Sequence, residues 1–337
     1  MRAWVLNSGF GFENLRLEER PEPACGPRQV VIRVRAVSLN ARDVMMARGA
    51  YNPRQKLPLV VASDAAGEVV QCGAEVQEWR VGERVCPIFA GLWQSGPLTQ
   101  AARRSALGGP ADGTLTEYFV ADASALVALP QALNFLEGAC LPCASVTAYR
   151  ALVEFAELRP GQWLVCLGTG GVSLAALGIA RALGVRVIIT SRSAEKLARA
   201  RALGAEHGID TMQTPEWGNA VRTLTEGEGA HHVLEVGGAG TIAQSVRALR
   251  LGGSLSAIGV LSGALSELDL RPLLMQDLRI QGVFVGSRQT FLRLLELVNA
   301  HDLHPQIDRT FAFEDARAAF EYAATGQQFG KVVISLA

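Results

Sequence analysis

The stretch WLVCLGTGGVS, residues 163–173, decides the fold of this 337-residue chain. The apolar residues 163–167 predict a short buried strand, and the glycines after them predict a tight turn. From Val172 to Leu183 apolar residues recur on one face, which predicts a helix that ends at Gly184. A strand, a glycine turn and a helix in this order are typical of an α/β unit with a parallel sheet.

The same alternation continues downstream. Ser193 is a good N-cap for a helix from Ala194 to Leu203, which Gly204 ends. The further strands that we predict lie at 185–190, 232–236, 254–259 and 280–285. Strands that alternate with helices predict a doubly wound parallel sheet with right-handed crossovers.

The flanking regions have a different texture. Short strands separated by Gly and Pro predict a β-rich, barrel-like domain. They lie at 30–37, 66–73 and 115–120, and residues 81–85 supply a turn followed by a further strand. Residues 91–113 show no periodicity and predict a long loop. After residue 287 the pattern predicts helices at 288–300 and 315–325 and a last strand at 331–336.

Composition excludes several classes of protein. Hydrophobic residues make up 49% and charged residues 19%, so a disordered chain is excluded. Lys plus Arg and Asp plus Glu are 32 each, which gives no overall attraction to nucleic acid or to an anionic membrane. No apolar run reaches the roughly 20 residues that a membrane span needs. We expect a cytoplasmic protein whose six cysteines are thiols.

The glycine turn predicts a dinucleotide site. Its pattern is G-x-G-x-x-S: Gly168 allows the tight turn, and Gly170 lets the backbone approach a pyrophosphate. Gly171 and Val172 begin the helix, where exposed N–H groups and the helix dipole favour an anion. Ser173 is small enough to stand where the third glycine usually allows close packing.

The end of the next strand bears on the choice of cofactor. NAD sites usually carry Asp or Glu there, whereas this chain has Ser191, Arg192 and Lys196. A hydroxyl and two cations suit the 2′-phosphate of NADP. The alternative is that Arg192 and Lys196 are solvated residues at a helix start.

Further motifs resemble the medium-chain dehydrogenase/reductase superfamily over nearly the whole chain. They are Ser38-Leu39-Asn40-Ala41-Arg42-Asp43, Gly67-Glu68-Val69-Val70, Val81-Gly82-Glu83-Arg84-Val85, residues 141–148 (LPCASVTA) and Gly330-Lys331-Val332-Val333-Ile334. The chain looks similar to the zinc-independent, quinone oxidoreductase-like and alcohol dehydrogenase-like members. The resemblance implies a GroES-like catalytic domain over 1–144 and 285–337, and a Rossmann domain over 145–284.

Departures from the zinc-dependent pattern bear on the chemistry. Asn40 and Ser63 stand where zinc-dependent members have Cys and His ligands, and only Cys143 remains. The cluster of four cysteines that holds a structural zinc is also missing, so we expect no metal. Cys143 is then a pocket residue, or alternatively a redox thiol that pairs with Cys140.

The resemblance also implies roles for individual residues. Asn40 and Asp43 lie beside the nicotinamide, and Asn40 donates to the substrate oxygen or to the ribose. Tyr51 is a proton donor or a wall of the pocket, and Phe89 and Trp93 line the substrate channel or belong to the core. The residues implied to hold the cofactor are Thr147, Gly259, Val260, Leu261, Phe284 and, at the pyrophosphate, Lys331. Many NADP-using relatives have Asn-Tyr where this chain has Asp210-Thr211, which weakens the argument for NADP.

The sequence therefore predicts an NADPH-dependent enzyme that transfers hydride to a quinone or an α,β-unsaturated carbonyl without a metal. A zinc-independent alcohol dehydrogenase and a cofactor-binding structural or regulatory protein remain as alternatives. The partner is a small-molecule substrate. The resemblance also implies that the last Rossmann strands of two copies pair across a two-fold axis. The apolar strand predicted at 280–285 would otherwise leave an exposed sheet edge, so we expect at least a homodimer.

Overall fold

A computed structural model describes residues 1–336. The chain divides into two compact units, one formed by Met1–Val146 together with the segment from Val285 onward, the other by Thr147–Phe284. The first boundary lies two residues from the one expected from the sequence, and the second coincides with it.

The strands, in chain order, are β1 (Arg2–Leu6), β2 (Leu15–Glu19), β3 (Gln29–Leu39), β4 (Leu59–Val60), β5 (Asp64–Cys72), β6 (Arg84–Pro87), β7 (Tyr118–Asp122), β8 (Leu126–Ala128), β9 (Trp163–Leu167), β10 (Arg186–Ser191), β11 (His207–Asp210), β12 (Ala230–Glu235), β13 (Leu249–Ala257), β14 (Arg279–Gly282), β15 (Ile307–Ala312) and β16 (Lys331–Ser335).

The α-helices are α1 (Ala41–Ala47), α2 (Gln100–Arg104), α3 (Phe135–Gly138), α4 (Val146–Tyr149), α5 (Gly171–Ala182), α6 (Ala194–Ala202), α7 (Trp217–Leu224), α8 (Ile242–Ala248), α9 (Arg271–Met275), α10 (Arg288–His301) and α11 (Ala316–Ala324). π-Helical turns lie at Leu141–Ser145 and Arg150–Phe155, and 3₁₀ turns at Phe12–Asn14, Ala123–Ala125 and Phe313–Asp315.

The unit Thr147–Phe284 is built on a six-stranded sheet in the order β11-β10-β9-β12-β13-β14. Every neighbouring pair in it is parallel, as the alternation of strands and helices predicts. β9 is buried along its whole length because it lies inside the sheet. The strand order reverses between β9 and β12, and ligands of open α/β sheets bind at such a switch point, beyond the carboxyl ends of the strands.

The predicted helix signals of this unit are confirmed. α5 begins at Gly171 directly after the glycine turn. The side chain of Ser193 accepts a hydrogen bond from the Lys196 backbone N–H and so caps α6. Gly204 has a φ of 104°, the left-handed backbone that lets the chain leave the helix.

The other unit is β-rich, as expected. Its largest sheet runs β15-β16-β3-β5-β6-β8, with β7 also paired to β3, and a smaller sheet runs β2-β1-β4. The long strand β3 pairs antiparallel with β5, β7 and β16 and therefore ties the unit together. Its inward side chains, among them Val37 and Leu39, pack in one core with Ile334 of β16 and Phe320 of α11.

Three sequence predictions need correction. Residues 91–113 are not wholly irregular, because Thr99 caps the short helix α2. The strand predicted at 115–120 begins only at Tyr118, since the backbone of Leu115 bonds to Trp4 and Val61 instead of entering that strand. The strand predicted at 280–285 ends at Gly282, and Val285 has a φ of 44°, outside the β region.

In residues 1–336, no helix combines the length and the apolar character that crossing a bilayer requires.

Candidate functional site

Two groups of polar residues carry chemistry, one in each unit. The first lies at the junction of β3 and α1. The Asp43 carboxylate accepts a hydrogen bond from the Asn40 backbone N–H at 2.8 Å, so Asp43 caps the helix whose first turn contains it. Its other oxygen lies 3.2 Å from Nη1 of Arg42. Burial raises the pKa of Asp43, and the Arg42 charge opposes that rise.

A chain of hydrogen bonds passes through the Asn40 amide. The Lys331 ammonium donates to the Asn40 side-chain oxygen and, at 2.7 Å, to the Leu39 carbonyl. The Asn40 amide nitrogen donates to Ser63 Oγ at 3.3 Å, and Ser63 donates to the Asp64 carboxylate at 3.3 Å. The chain thus joins a buried cation to a buried anion through two neutral side chains, and we call these four residues the polar relay.

The anionic end of the relay is fully buried. Asp64 Oδ2 accepts from the Cys143 backbone N–H at 3.2 Å. Burial raises the pKa of Asp64 to about 6, although Lys331 and Asn40 favour its ionised form. Asp64 therefore changes its charge nearer to neutral pH than an ordinary aspartate does.

The relay does not suit a catalytic zinc. The three positions that hold ligands in zinc-dependent members of the resembled family carry an amide, a hydroxyl and the Cys143 thiol, whose pKa burial raises well above its usual range. Zinc prefers thiolate and imidazole ligands. Nowhere in residues 1–336 do three or more His, Cys, Asp or Glu side chains group so that they could hold a metal ion.

The cysteine pair is held in the thiol form. Burial raises the pKa of Cys140 to about 11, and its Sγ donates to the Leu136 carbonyl at 3.3 Å. Cys143 shifts in the same direction for the same reason. A reactive thiol needs a stabilised thiolate, so the raised pKa values of both thiols favour a passive Cys143 over the redox alternative.

The aromatic candidates differ in exposure. Tyr51 follows α1 and is 43% exposed, whereas Phe89 and Trp93 are buried. The burial of Phe89 and Trp93 favours the alternative that both belong to the core. Lys331 is 4% exposed, and its ammonium donates to the Leu39 carbonyl and to the Asn40 side-chain oxygen within its own unit.

The second group lies in the unit Thr147–Phe284, beyond the carboxyl end of β9. Gly168 has a φ of 68°, which glycine adopts without strain, and nothing lies within 4 Å of a Cβ built on Gly170. Ser173 Oγ donates to the Leu167 carbonyl at 2.6 Å, so the serine in place of the third glycine fastens α5 to β9. The open turn and the N-terminus of the 12-residue helix α5 fit a pyrophosphate.

The candidate 2′-phosphate residues lie at the same edge of the sheet, because Thr190 of β10 is in register with Leu167 of β9. Ser191 is 8% exposed and its Oγ accepts the Ser193 N–H, while Arg192 is exposed. The Asp210 carboxylate, at the end of β11, accepts hydrogen bonds from the loop after it, at Met212 and Gln213. Asp210 is therefore engaged within its own turn.

The remaining predicted cofactor residues are distributed over this unit. Thr147 and Phe284 are its first and last residues. Gly259, Val260 and Leu261 follow β13, and the backbone N–H groups of Gly259 and Leu261 donate to the carbonyls of Glu235 and Val236.

Glu235 stabilises the turn beside this segment. Its carboxylate accepts from the N–H groups of Gly237 and Gly238 at 2.6 and 2.9 Å, and from the hydroxyls of Thr241 and Ser245.

Sequence reasoning missed two features. It noted Ser63 only as a substituted metal position, and it did not predict the relay of Ser63 and Asp64 with Lys331. It also assigned no role to Arg42, although the residue lies between Asn40 and Asp43 in a motif that it had singled out. No periodicity signals that such an arginine is buried.

Comparisons with known proteins agree with the fold. Residues 26–131 match the alcohol dehydrogenase GroES-like domain family, and residues 171–300 match the zinc-binding dehydrogenase family. The chain is 39% identical to a zinc-type alcohol dehydrogenase-like protein of Schizosaccharomyces pombe, over 100% of this chain and 99% of the relative. It is 28% identical to a quinone oxidoreductase-like protein 2 homolog of Nematostella vectensis, over 98% of this chain and 85% of the relative.

Solved structures give the same picture. A structure described as an NAD-dependent alcohol dehydrogenase superposes with a TM-score of 0.92 at 32% identity, covering 100% of both chains. A 2-octenoyl-CoA carboxylase reductase, solved with NADP and 2-octenoyl-CoA, superposes with a TM-score of 0.88 at 26% identity, covering 99% of this chain and 87% of that one.

Proposed function

We propose that this chain is an NADPH-dependent reductase of quinones or α,β-unsaturated carbonyl compounds and that it works without a metal. The proposal starts from the family: the chain belongs to the medium-chain dehydrogenase/reductase superfamily and is an oxidoreductase of that family. The polar relay carries the proposal, since it puts an amide and a hydroxyl at positions where zinc would need a thiolate and an imidazole. The NADP and enoyl thioester of one solved neighbour support the same class.

The cofactor half rests on the open glycine turn and on Ser191, Arg192 and Lys196. An exposed guanidinium beside the end of β10 can reach a 2′-phosphate. The Asp210 carboxylate is in register with Ser191 on the neighbouring strand, and it accepts hydrogen bonds from Met212 and Gln213 of its own loop. An NAD-dependent neighbour also superposes closely, so the preference for NADPH is the part that needs a binding measurement.

Nicotinamide, when bound, supplies the hydride. In the substrate site, Asn40 has two amide hydrogens, and Ser63 takes one of them. We assign the other to the acceptor's carbonyl oxygen, where negative charge develops as hydride adds to carbon. The Lys331 ammonium on the amide oxygen fixes which way the amide faces and strengthens it as a donor.

An activated acceptor suits this site better than a simple alcohol. Oxidation of an alcohol needs the oxygen's proton removed, which a metal assists as a Lewis acid. A quinone or an enone accepts hydride at carbon and needs only donors for the oxyanion, with Tyr51 or water giving the proton afterwards. A metal-independent alcohol dehydrogenase is the second candidate. One similar protein is described as zinc-type alcohol dehydrogenase-like and one solved structure as an NAD-dependent alcohol dehydrogenase, and the metal independence is our own inference from Asn40 and Ser63.

NADPH oxidation with 1,4-naphthoquinone, 2-cyclohexenone and 2-butanone tests the proposal. We expect turnover of the first two acceptors and little of the ketone. Asn40→Ala should lower kcat by about a hundredfold, as loss of an oxyanion donor does elsewhere. Asn219→Ala removes an exposed amide on α7 and serves as the control. Turnover of the ketone alone, or full activity in Asn40→Ala, would exclude this mechanism.

We further propose that two copies associate through β14. This strand is the last in its sheet, and all four of its residues are exposed. Leu265, Leu274 and Met275, in the segment before it, are also largely exposed. An uncovered edge with apolar surface beside it is a site for pairing with a second copy.

All six cysteines are free thiols, which suits a reducing compartment such as the cytoplasm.

A further inference from the structure

Arg42 is a buried cation in the first turn of α1. It is 8% exposed, and arginine is almost never buried unless its charge is paired. Part of that pairing comes from Asp43, whose Oδ1 lies 3.2 Å from Nη1. The other contacts of the guanidinium therefore indicate what it holds.

Two of these contacts are to the backbone of the segment before Gly113. Nη1 donates to the Leu107 carbonyl and Nη2 to the Gly109 carbonyl, each at 2.8 Å. Residues 105–113 contain no helix and no strand, and isolated bridges occur there at Ala106 and Leu107. A planar fork that binds two carbonyls two residues apart fixes the local path of such a loop.

The guanidinium also contacts two aromatic rings. Its carbon lies 5.0 Å from the centroid of the Tyr51 ring and 5.0 Å from that of the Phe89 ring. Both distances are within the range of cation–π attraction. Tyr51 is half-exposed, and its backbone N–H donates to the Met45 carbonyl at 3.2 Å.

We propose that Arg42 is a positioning residue: it holds Tyr51 and the segment 107–109 together as one wall of the acceptor site and so selects which acceptors fit. The identity of the acceptor in this inference rests on the proposed function. The position of Arg42 rests on its contacts with Asp43, Tyr51 and the carbonyls of residues 107 and 109. Arg42 acts through these groups and does not itself touch the acceptor.

Lysine cannot replace arginine in this role. It keeps the charge, but a single ammonium does not bind two carbonyls through a flat fork while it also stacks on a ring. Arg42→Lys therefore separates positioning from charge. Arg84→Lys is the matched control, because the Arg84 guanidinium donates to the Leu133 carbonyl and lies 4.8 Å from the Phe135 ring elsewhere in the same unit.

The first measurement follows the wall itself and needs no substrate. The chain has four tyrosines, so incorporated 3-fluorotyrosine gives four ¹⁹F resonances, and Tyr51→Phe identifies one of them. We expect Arg42→Lys to shift that resonance and to speed hydrogen exchange at the amides of Leu107 and Gly109. Both amides are hydrogen-bonded, to Phe89 and Ala111. Arg84→Lys should change neither.

The second measurement is kinetic. With 1,4-naphthoquinone we expect Arg42→Lys to raise KM by about tenfold with a smaller change in kcat, since a displaced wall weakens orientation of the acceptor. Combined with Tyr51→Leu, which removes the ring that Arg42 contacts, the two changes should cost less than the product of their separate effects, because both act on one contact. Arg84→Lys should lower the melting temperature and leave KM unchanged.

The outcomes are distinct. An unmoved Tyr51 resonance with unchanged exchange in Arg42→Lys overturns the proposal, and so does equal KM in the two lysine variants. If no acceptor is reduced, the proposed function fails, and the resonance and exchange data alone decide the role of Arg42. If Arg42→Lys does not fold, Tyr51→Leu tests the contact from its exposed side: an unshifted Arg42 Nε–H resonance would overturn it.

Discussion

The affinity for NADPH relative to NADH should depend on Arg192. This residue is exposed beside the end of β10, and it makes no ion pair with any other residue of 1–336. Its replacement by Ala therefore removes a cation without breaking an internal contact. NADH has no phosphate at the 2′ position, so the change should act on NADPH alone.

The structure sets the magnitude. A hydrogen bond between charged groups contributes about 1.5–3 kcal/mol when it is sheltered. Arg192 is exposed, so solvent and salt reduce this to about 1–1.5 kcal/mol. Since 1.4 kcal/mol is tenfold in a dissociation constant, the Kd for NADPH should rise about 5- to 12-fold.

Fluorescence titration of the reduced cofactors measures both constants. Arg201→Ala is the control, because it removes an exposed cation near the opposite end of α6 and changes the net charge equally. We expect Arg192→Ala to weaken NADPH and leave NADH within twofold, and Arg201→Ala to change neither. Equal weakening of both cofactors, or a wild type that binds them equally, would refute our interpretation of this strand end.

Three further predictions concern the rest of the molecule. The purified protein should carry well under one zinc per chain and keep its activity in EDTA, because two of the three ligand positions are Asn40 and Ser63; stoichiometric, activity-linked zinc would contradict this. Asp64 should make the wild type less stable, relative to Asp64→Asn, as the pH rises. The difference between their free energies of unfolding should fall by about 2–3 kcal/mol from pH 4 to pH 7, because the pKa of Asp64 is about 6 in the folded protein and near 4 in the unfolded chain. Denaturant titrations measure this difference, and a value that does not change with pH would show that Asp64 ionises normally. Light scattering at micromolar concentration should give at least a dimer, and Ile280→Lys in β14 should shift it toward monomer, whereas a monomeric wild type would rule out the pairing.

The sequence predicts the parallel sheet well because its signals are local. The strand at 163–167 and the cap at Ser193 depend on residues within one turn of the chain, and the structure has both where the pattern indicates. The β-rich unit is harder, because its strands pair over long separations. Leu115, for example, bonds to Trp4 and Val61, and no local pattern reveals those partners.

In the candidate site, too, the local features can be predicted from the sequence and the long-range ones cannot. The glycine turn could be recognised from spacing alone. The polar relay could not, because it joins Asn40 to Ser63 and to Lys331, and Asn40 and Lys331 lie 291 positions apart. The resemblance places Lys331 at a pyrophosphate. Its hydrogen bond to the Leu39 carbonyl depends on the pairing of β16 with β3, which no local sequence pattern predicts.

The polar relay affects which substitutions at the former metal positions leave the buried charges balanced. Two carboxylates, Asp43 and Asp64, lie buried in one region, and a metal ion would be an obvious counter-charge for them. Here the ammonium of Lys331 favours the ionised form of both. The absence of thiolate and imidazole ligands at positions 40 and 63 therefore does not leave these two carboxylates without a cation in the interior. An engineer who restores Cys and His at those positions must also remove Lys331, because a divalent ion and a buried ammonium would compete for the same anions.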